Sequence, residues 1–245
     1  MNGGDPARRI FCAIDTADLA KAKALALALA GHVGGIKLGL EFFTKFGPEG
    51  VRALVSSAPL FLDLKYHDIP NTVAGAVGAA VGLQPAFLTL HTTGGEAMLR
   101  AAAAAAAQAA AAAKVAPPRL LGVTVLTSLD VGDLEAVGLK GPPEERALRL
   151  AELAKRAGLD GVVASAHEVR RIRETLGKDF TLVVPGIRPA FAGADDQKRV
   201  TTPAEAIAAG ADILVIGRPI TEAADPWEAV RKIALEIDGE IGGVR

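Results

Sequence analysis

Eight short apolar or β-branched runs alternate with eight longer stretches of helical pattern along the 245 residues, and few folds accommodate that alternation. The strand-like runs are 10–15, 35–38, 60–65, 86–91, 120–126, 161–165, 181–185 and 213–217. The helix-like stretches are 18–30, 41–56, 71–81, 94–114, 144–157, 167–176, 203–209 and 226–237. Strands that each return through a helix pair in parallel, and eight such units predict an α/β fold: one (β/α)8 TIM barrel domain over residues 1–245. Half of the residues are hydrophobic, enough for a sizeable core.

Local signals agree with that reading. Thr202-Pro203-Ala204-Glu205 and Asp225-Pro226-Trp227-Glu228 each combine a cap, a proline at the first helical position and a glutamate at the third. The alanine run at 101–113 is low in complexity but high in helix propensity, which predicts an outer helix. The longest irregular stretch, 188–201, has the length of a functional loop and is expected to act as an active-site lid.

Charge and cysteine usage exclude several function classes. The 27 basic and 28 acidic residues leave a net charge of -1, and neither sign runs in a block, so no nucleic-acid partner is expected. The single cysteine, Cys12, lies inside the first strand and fits a core position in a reducing compartment. Without an apolar N-terminal segment or a non-alanine run near the roughly 20 residues of a membrane span, the chain is expected in the cytoplasm, off membranes.

In a (β/α)8 barrel the reacting groups gather where the strands end, and the polar residues here follow that rule. Asp15 ends the first strand, Lys37 the second, Asp63 and Lys65 the third; Thr127 follows the fifth. Gly186-Ile187-Arg188 follows the seventh and Gly217-Arg218 the eighth, where glycine loops offer backbone N–H groups to a phosphate and arginine adds a planar donor fork. Strand alternation sends Asp63 and Lys65 to one face, with Asp68 just past the strand end. Two carboxylates beside an ammonium are costly to bury, and with Lys37 they predict a Lys/Asp/Lys/Asp array. Singly, each residue has a plainer reading: Asp15 as a helix cap, Lys37 as a surface lysine, Asp63 with Lys65 as a rim ion pair, the arginines as rim charges, and His67 and His91 as structural. No histidine spacing suits a metal.

Taken together, Ile36-Lys37-Leu38-Gly39, the Asp-x-Lys-x-x-Asp-Ile-Pro-Asn-Thr run at 63–72, Val123 through Ser128, Pro185 through Pro189 and Ile216 through Ile220 resemble the orotidine 5'-phosphate decarboxylases, in their common bacterial form. The resemblance spans 10–230 in the family's order. It implies a cofactor-free, metal-free homodimer that converts orotidine 5'-monophosphate to uridine 5'-monophosphate and carbon dioxide in pyrimidine biosynthesis. It further implies that Lys37, Asp63, Lys65 and Asp68 are catalytic, with Lys65 as the acid and Asp68 and Thr72 reaching into the partner's site. Asp15 and Lys37 would hold the ribose, Thr127 the pyrimidine, and Arg188, Gln197, Gly217 and Arg218 the phosphate.

Two alternatives remain at this point. A metal-dependent sugar-phosphate decarboxylase or aldolase of the same superfamily resembles the chain in Asp-x-Lys-x-x-Asp but places a glutamate ligand near Lys37. A non-catalytic phosphate-ligand-binding barrel would keep the phosphate loops and need no charged array.

Overall fold

The computed structural model describes residues 5–54, 58–192 and 201–239. In chain order the elements are β1 (Ile10–Ala13), α1 (Leu19–Ala28), β2 (Gly35–Leu38), α2 (Leu40–Arg52), β3 (Leu60–Tyr66), α3 (Pro70–Val81), β4 (Phe87–His91), α4 (Gly95–Ala113) and β5 (Arg119–Val123). They continue with α5 (Val131–Ala136), α6 (Pro143–Arg156), β6 (Gly161–Val163), α7 (Ala166–Leu176), β7 (Thr181–Val184), α8 (Pro203–Ala209), β8 (Ile213–Ile216), α9 (Arg218–Thr221) and α10 (Pro226–Asp238). The strands neighbour one another in sequence order, and β8 pairs in parallel with β1, so the sheet closes as the (β/α)8 barrel that the alternation predicts.

The chain forms two compact units, one of residues 1–63 with 184–245 and one of residues 64–183. In the first, β1 lies between β8 and β2, with Phe11 opposite both Val215 and Gly35. Gly34 and Gly35 permit the close approach: a Cβ at Gly34 would sit 2.0 Å from the Arg8 carbonyl oxygen, and one at Gly35 would sit 2.2 Å from the Phe11 ring. Phe11 and Phe61 meet edge to face, 6.1 Å between centroids, and both are buried. Each contributes about 2–3 kcal/mol of apolar burial.

In the second unit β4, β5, β6 and β7 pair in parallel register. The alanine run forms most of α4, whose Ala102, Ala106 and Ala110 recur every fourth residue and are buried. Small side chains on that stripe let α4 lie close against α3, which presents Val73, Val77 and Ala80.

Three local departures have identifiable causes. The helix expected over 41–56 kinks at Gly47, which adopts φ 57 just before Pro48, and ends at Arg52. The fifth strand stops at Val123 rather than 126, and a turn follows in which the Leu129 N–H donates to the Leu126 carbonyl. Two short helices, α5 and α9, stand where the sequence pattern shows none; α5 starts with a reciprocal cap between Asp130 and Asp133.

Candidate active site

The first unit contains a cavity of about 390 Å³ at the C-terminal ends of its strands, lined by residues 13–16, Lys37, Asp63, 185–188 and 217–219 among others. Strand register explains how the charges meet. Lys37 pairs with Ala13 on one side and Phe61 on the other, so Asp15 and Asp63, each two residues further along, flank its side chain. The Lys37 ammonium lies 3.5 Å from Asp15 Oδ2 and 3.4 Å from Asp63 Oδ2. Lys37 and Asp63 are buried, at 8% and 9% exposure, whereas the Asp15 side chain is half exposed. Moving an ammonium and a carboxylate out of water costs several kcal/mol each, which close pairing must offset.

These contacts decide between the readings open for Asp15 and Lys37. Lys37 is no surface lysine. Asp15 caps no helix: Asp18 caps α1, accepting from the Ala20 and Lys21 N–H groups at 2.8 and 3.0 Å. Gly39 holds the space for the triad, because a Cβ there would stand 2.8 Å from Asp15 Oδ1 and 3.2 Å from Lys37 Nζ. Beneath the pair, burial and then the Asp15 charge push the Cys12 thiol up to about 12, so it stays protonated and unreactive.

The loops that follow β7 and β8 line the same cavity. Gly186 adopts φ 74, the left-handed region that glycine enters freely, and the turn leads into Arg188, which is 7% exposed. The Arg188 N–H donates to the Thr201 carbonyl at 3.1 Å, which joins the two ends of the 188–201 segment. The Ala190 N–H donates to Glu236 Oε2 on α10 at 3.1 Å, and Lys232 lies over the Phe191 ring at 5.9 Å. Gly217 and the exposed Arg218 also line the cavity. Gln197 and the rest of 193–200 lie outside the described residues.

Lys65, Asp68, Thr72 and Thr127 belong to the second unit. Lys65 is half buried and has φ 50. That backbone is left-handed, so the strand alternation that predicts a shared face for Asp63 and Lys65 does not extend through Lys65. A lysine there carries about 1–2 kcal/mol of strain, which its surroundings must hold. One restraint is visible: the Lys65 N–H donates to Thr89 Oγ1 on β4 at 2.9 Å, and Thr89 is fully buried. Asp68 is exposed and accepts the Ile69 N–H at 2.6 Å; Thr72 and Thr127 are exposed as well. The His67 and His91 rings lie 5.5 Å apart.

Sequence reasoning gave no role to Gly39, Thr89 or Glu236. A threonine in a strand reads as a simple β-former, and a lone glutamate near the end of an amphipathic helix reads as solvated.

The fold and cavity together define a (β/α)8 barrel with a lysine held between two carboxylates in a cavity that Arg188 and Arg218 also line. Residues 8–233 match the Orotidine 5'-phosphate decarboxylase / HUMPS family, and the chain belongs to it. It is 55% identical over 232 residues to the orotidine 5'-phosphate decarboxylase of Rhodospirillum rubrum, covering 94% of each chain. It is 54% identical to that of Paramagnetospirillum magneticum, covering 93% of this chain and 97% of the other. The crystal structure of orotidine 5'-phosphate decarboxylase from Lactobacillus acidophilus superposes with a TM-score of 0.83 at 36% identity, over 94% of this chain and 99% of that one.

Proposed function

We propose that this chain converts orotidine 5'-monophosphate to uridine 5'-monophosphate and carbon dioxide without a cofactor. The observation that carries the reading is the Asp15–Lys37–Asp63 triad sharing one cavity with Arg188 and Arg218. The arginines suit a phosphate, Lys37 and Asp15 suit the ribose hydroxyls, and the exposed Thr127 suits the pyrimidine edge. Residues 188–201 act as the closing loop of a single barrel domain, with Gln197 on the phosphate; the bond from Arg188 to Thr201 gives that loop a fixed base.

The chemistry asks for a protonated lysine. When the C6–carboxyl bond breaks, its electron pair stays in the ring plane, where no π-system delocalises it. Lys65, acting as the acid, stabilises that charge and then gives C6 an Nζ proton. An ion pair of this kind is worth about 4 kcal/mol at 4 Å and an effective dielectric of 20. The largest enzymatic accelerations need on the order of 20 kcal/mol, so phosphate binding must supply much of the remainder by aligning the substrate and excluding water.

The active species is a homodimer in which Asp68 and Thr72 cross to the partner's site. Both are exposed on the single chain, and the adjacent Ile69 is 66% exposed, as a contact with a second copy requires.

The metal-dependent rival would place a carboxylate ligand where Lys37 stands. A lysine ammonium between Asp15 and Asp63 supplies the positive charge there itself. The test follows the ultraviolet absorbance of orotidine 5'-monophosphate on addition of protein pretreated with a chelator. Conversion to uridine 5'-monophosphate unaffected by chelation is expected. Turnover only of a sugar phosphate, and only with added magnesium, would overturn the reading, as would nucleotide binding without turnover.

A further inference from the structure

We propose that Thr89 is a positioning residue for Lys65, its hydroxyl holding the lysine backbone in the left-handed conformation from which the side chain works. The inference rests on the reading of Lys65 as the proton donor. Three observations support it. Lys65 has φ 50, a conformation that costs an L-residue with a long side chain about 1–2 kcal/mol and that its surroundings must offset. Its N–H donates to Thr89 Oγ1 at 2.9 Å, a bond of ordinary length between residues 24 apart in sequence. Thr89 is itself fully buried in β4, so its hydroxyl is held inside the packed interior and cannot turn to solvent.

The hydrogen bond acts at the penultimate residue of β3, the one whose φ departs from extended geometry. Extended strand geometry carried through Lys65 would turn the chain beyond Leu64 a different way, moving the ammonium and the start of the segment that bears Asp68. Fixing the Lys65 amide therefore fixes where the side chain starts. A proton donor displaced by about 1 Å loses on the order of 100-fold in rate, while binding of a ligand that needs no proton is spared. Thr89 acts through Lys65 and has no part of its own in the chemistry.

The decisive comparison is Thr89→Ser against Thr89→Ala, two variants that differ by one oxygen, with Thr89→Val as the isostere of the parent. Each is assayed for kcat and KM on orotidine 5'-monophosphate and for uridine 5'-monophosphate affinity by calorimetry, alongside the parent and Lys65→Ala. The expected result is kcat near the parent's for Thr89→Ser. Thr89→Ala and Thr89→Val should lose about 10- to 100-fold in kcat. Affinity for uridine 5'-monophosphate should stay within a few-fold in all three. If Thr89→Val fails to fold, the Ser/Ala pair alone decides. Equal kcat in Ser and Ala, or a loss in KM and product affinity without a loss in kcat, overturns the positioning role. An active Lys65→Ala would instead overturn the reading of Lys65 itself.

Discussion

Lys37 sits between two carboxylates of unequal burial, and that inequality predicts unequal costs. Asp63 is buried with the lysine, so Asp63→Asn leaves an ammonium in a poor dielectric with one half-exposed partner. A loss of about 3 kcal/mol is expected, at the low end for a broken buried pair because Asp15 remains. Asp15→Asn should cost under about 1 kcal/mol, as solvent already screens that pair. Urea denaturation of the two variants measures the difference. Glu168 gives a pH signature. It is buried at the start of α7, accepts the Ser165 N–H at 2.9 Å and faces Glu144; burial raises its carboxyl from 4.5 to about 7. The folded state therefore holds this proton more tightly than the unfolded state. The contribution is full below pH 4.5 and fades as pH rises to about 7. Glu168→Gln should gain on the parent across that window, by about 3 kcal/mol in all, then run parallel above it. Denaturation midpoints from pH 4 to 8 check this. At this scale the Lys37–Asp63 pair was legible, since both residues end adjacent strands. The Asp15 contact was not, because an aspartate before a helix reads equally well as a cap. The left-handed Lys65 was not either, because lysine carries no signal for positive φ.

Among the elements, α10 does more than cover the barrel's outside. Glu236 accepts the Ala190 N–H and Lys232 covers Phe191, so one helix grips the segment that begins at Arg188. Glu236→Ala should weaken uridine 5'-monophosphate binding several-fold with little change for uridine, while Glu236→Gln, which keeps an acceptor, stays near the parent. Calorimetry with the two ligands makes the comparison. The helices whose starts carry chemical punctuation were predicted to within a residue or two: α8 begins at Pro203 behind Thr202, and α10 at Pro226 behind Asp225. The four-residue α9 and six-residue α5 were invisible because elements of fewer than two turns are too short for a helical period to repeat.

At the scale of the whole molecule, the eight-fold alternation was readable because each strand and helix carries its own apolar period, and closure follows from their number. Assembly is a different matter, since Asp68 and Thr72 are only exposed side chains on a single chain. If Asp68 serves the partner's site, Lys65→Ala and Asp68→Ala homodimers are both inactive, yet a hybrid keeps one site with both residues intact. Mixing the two after subunit exchange should restore about a quarter of the parent's activity, as random pairing of a two-fold dimer requires. No recovery on mixing would place Asp68 in its own chain's site.

Lys65 is the group proposed to stabilise and protonate C6. The most direct measurement is the absorbance decay of orotidine 5'-monophosphate with parent and Lys65→Ala protein, with uridine 5'-monophosphate binding measured on both. The variant should still bind the product and lose at least about 100-fold in turnover. Turnover within tenfold of the parent, at unchanged product affinity, would contradict it.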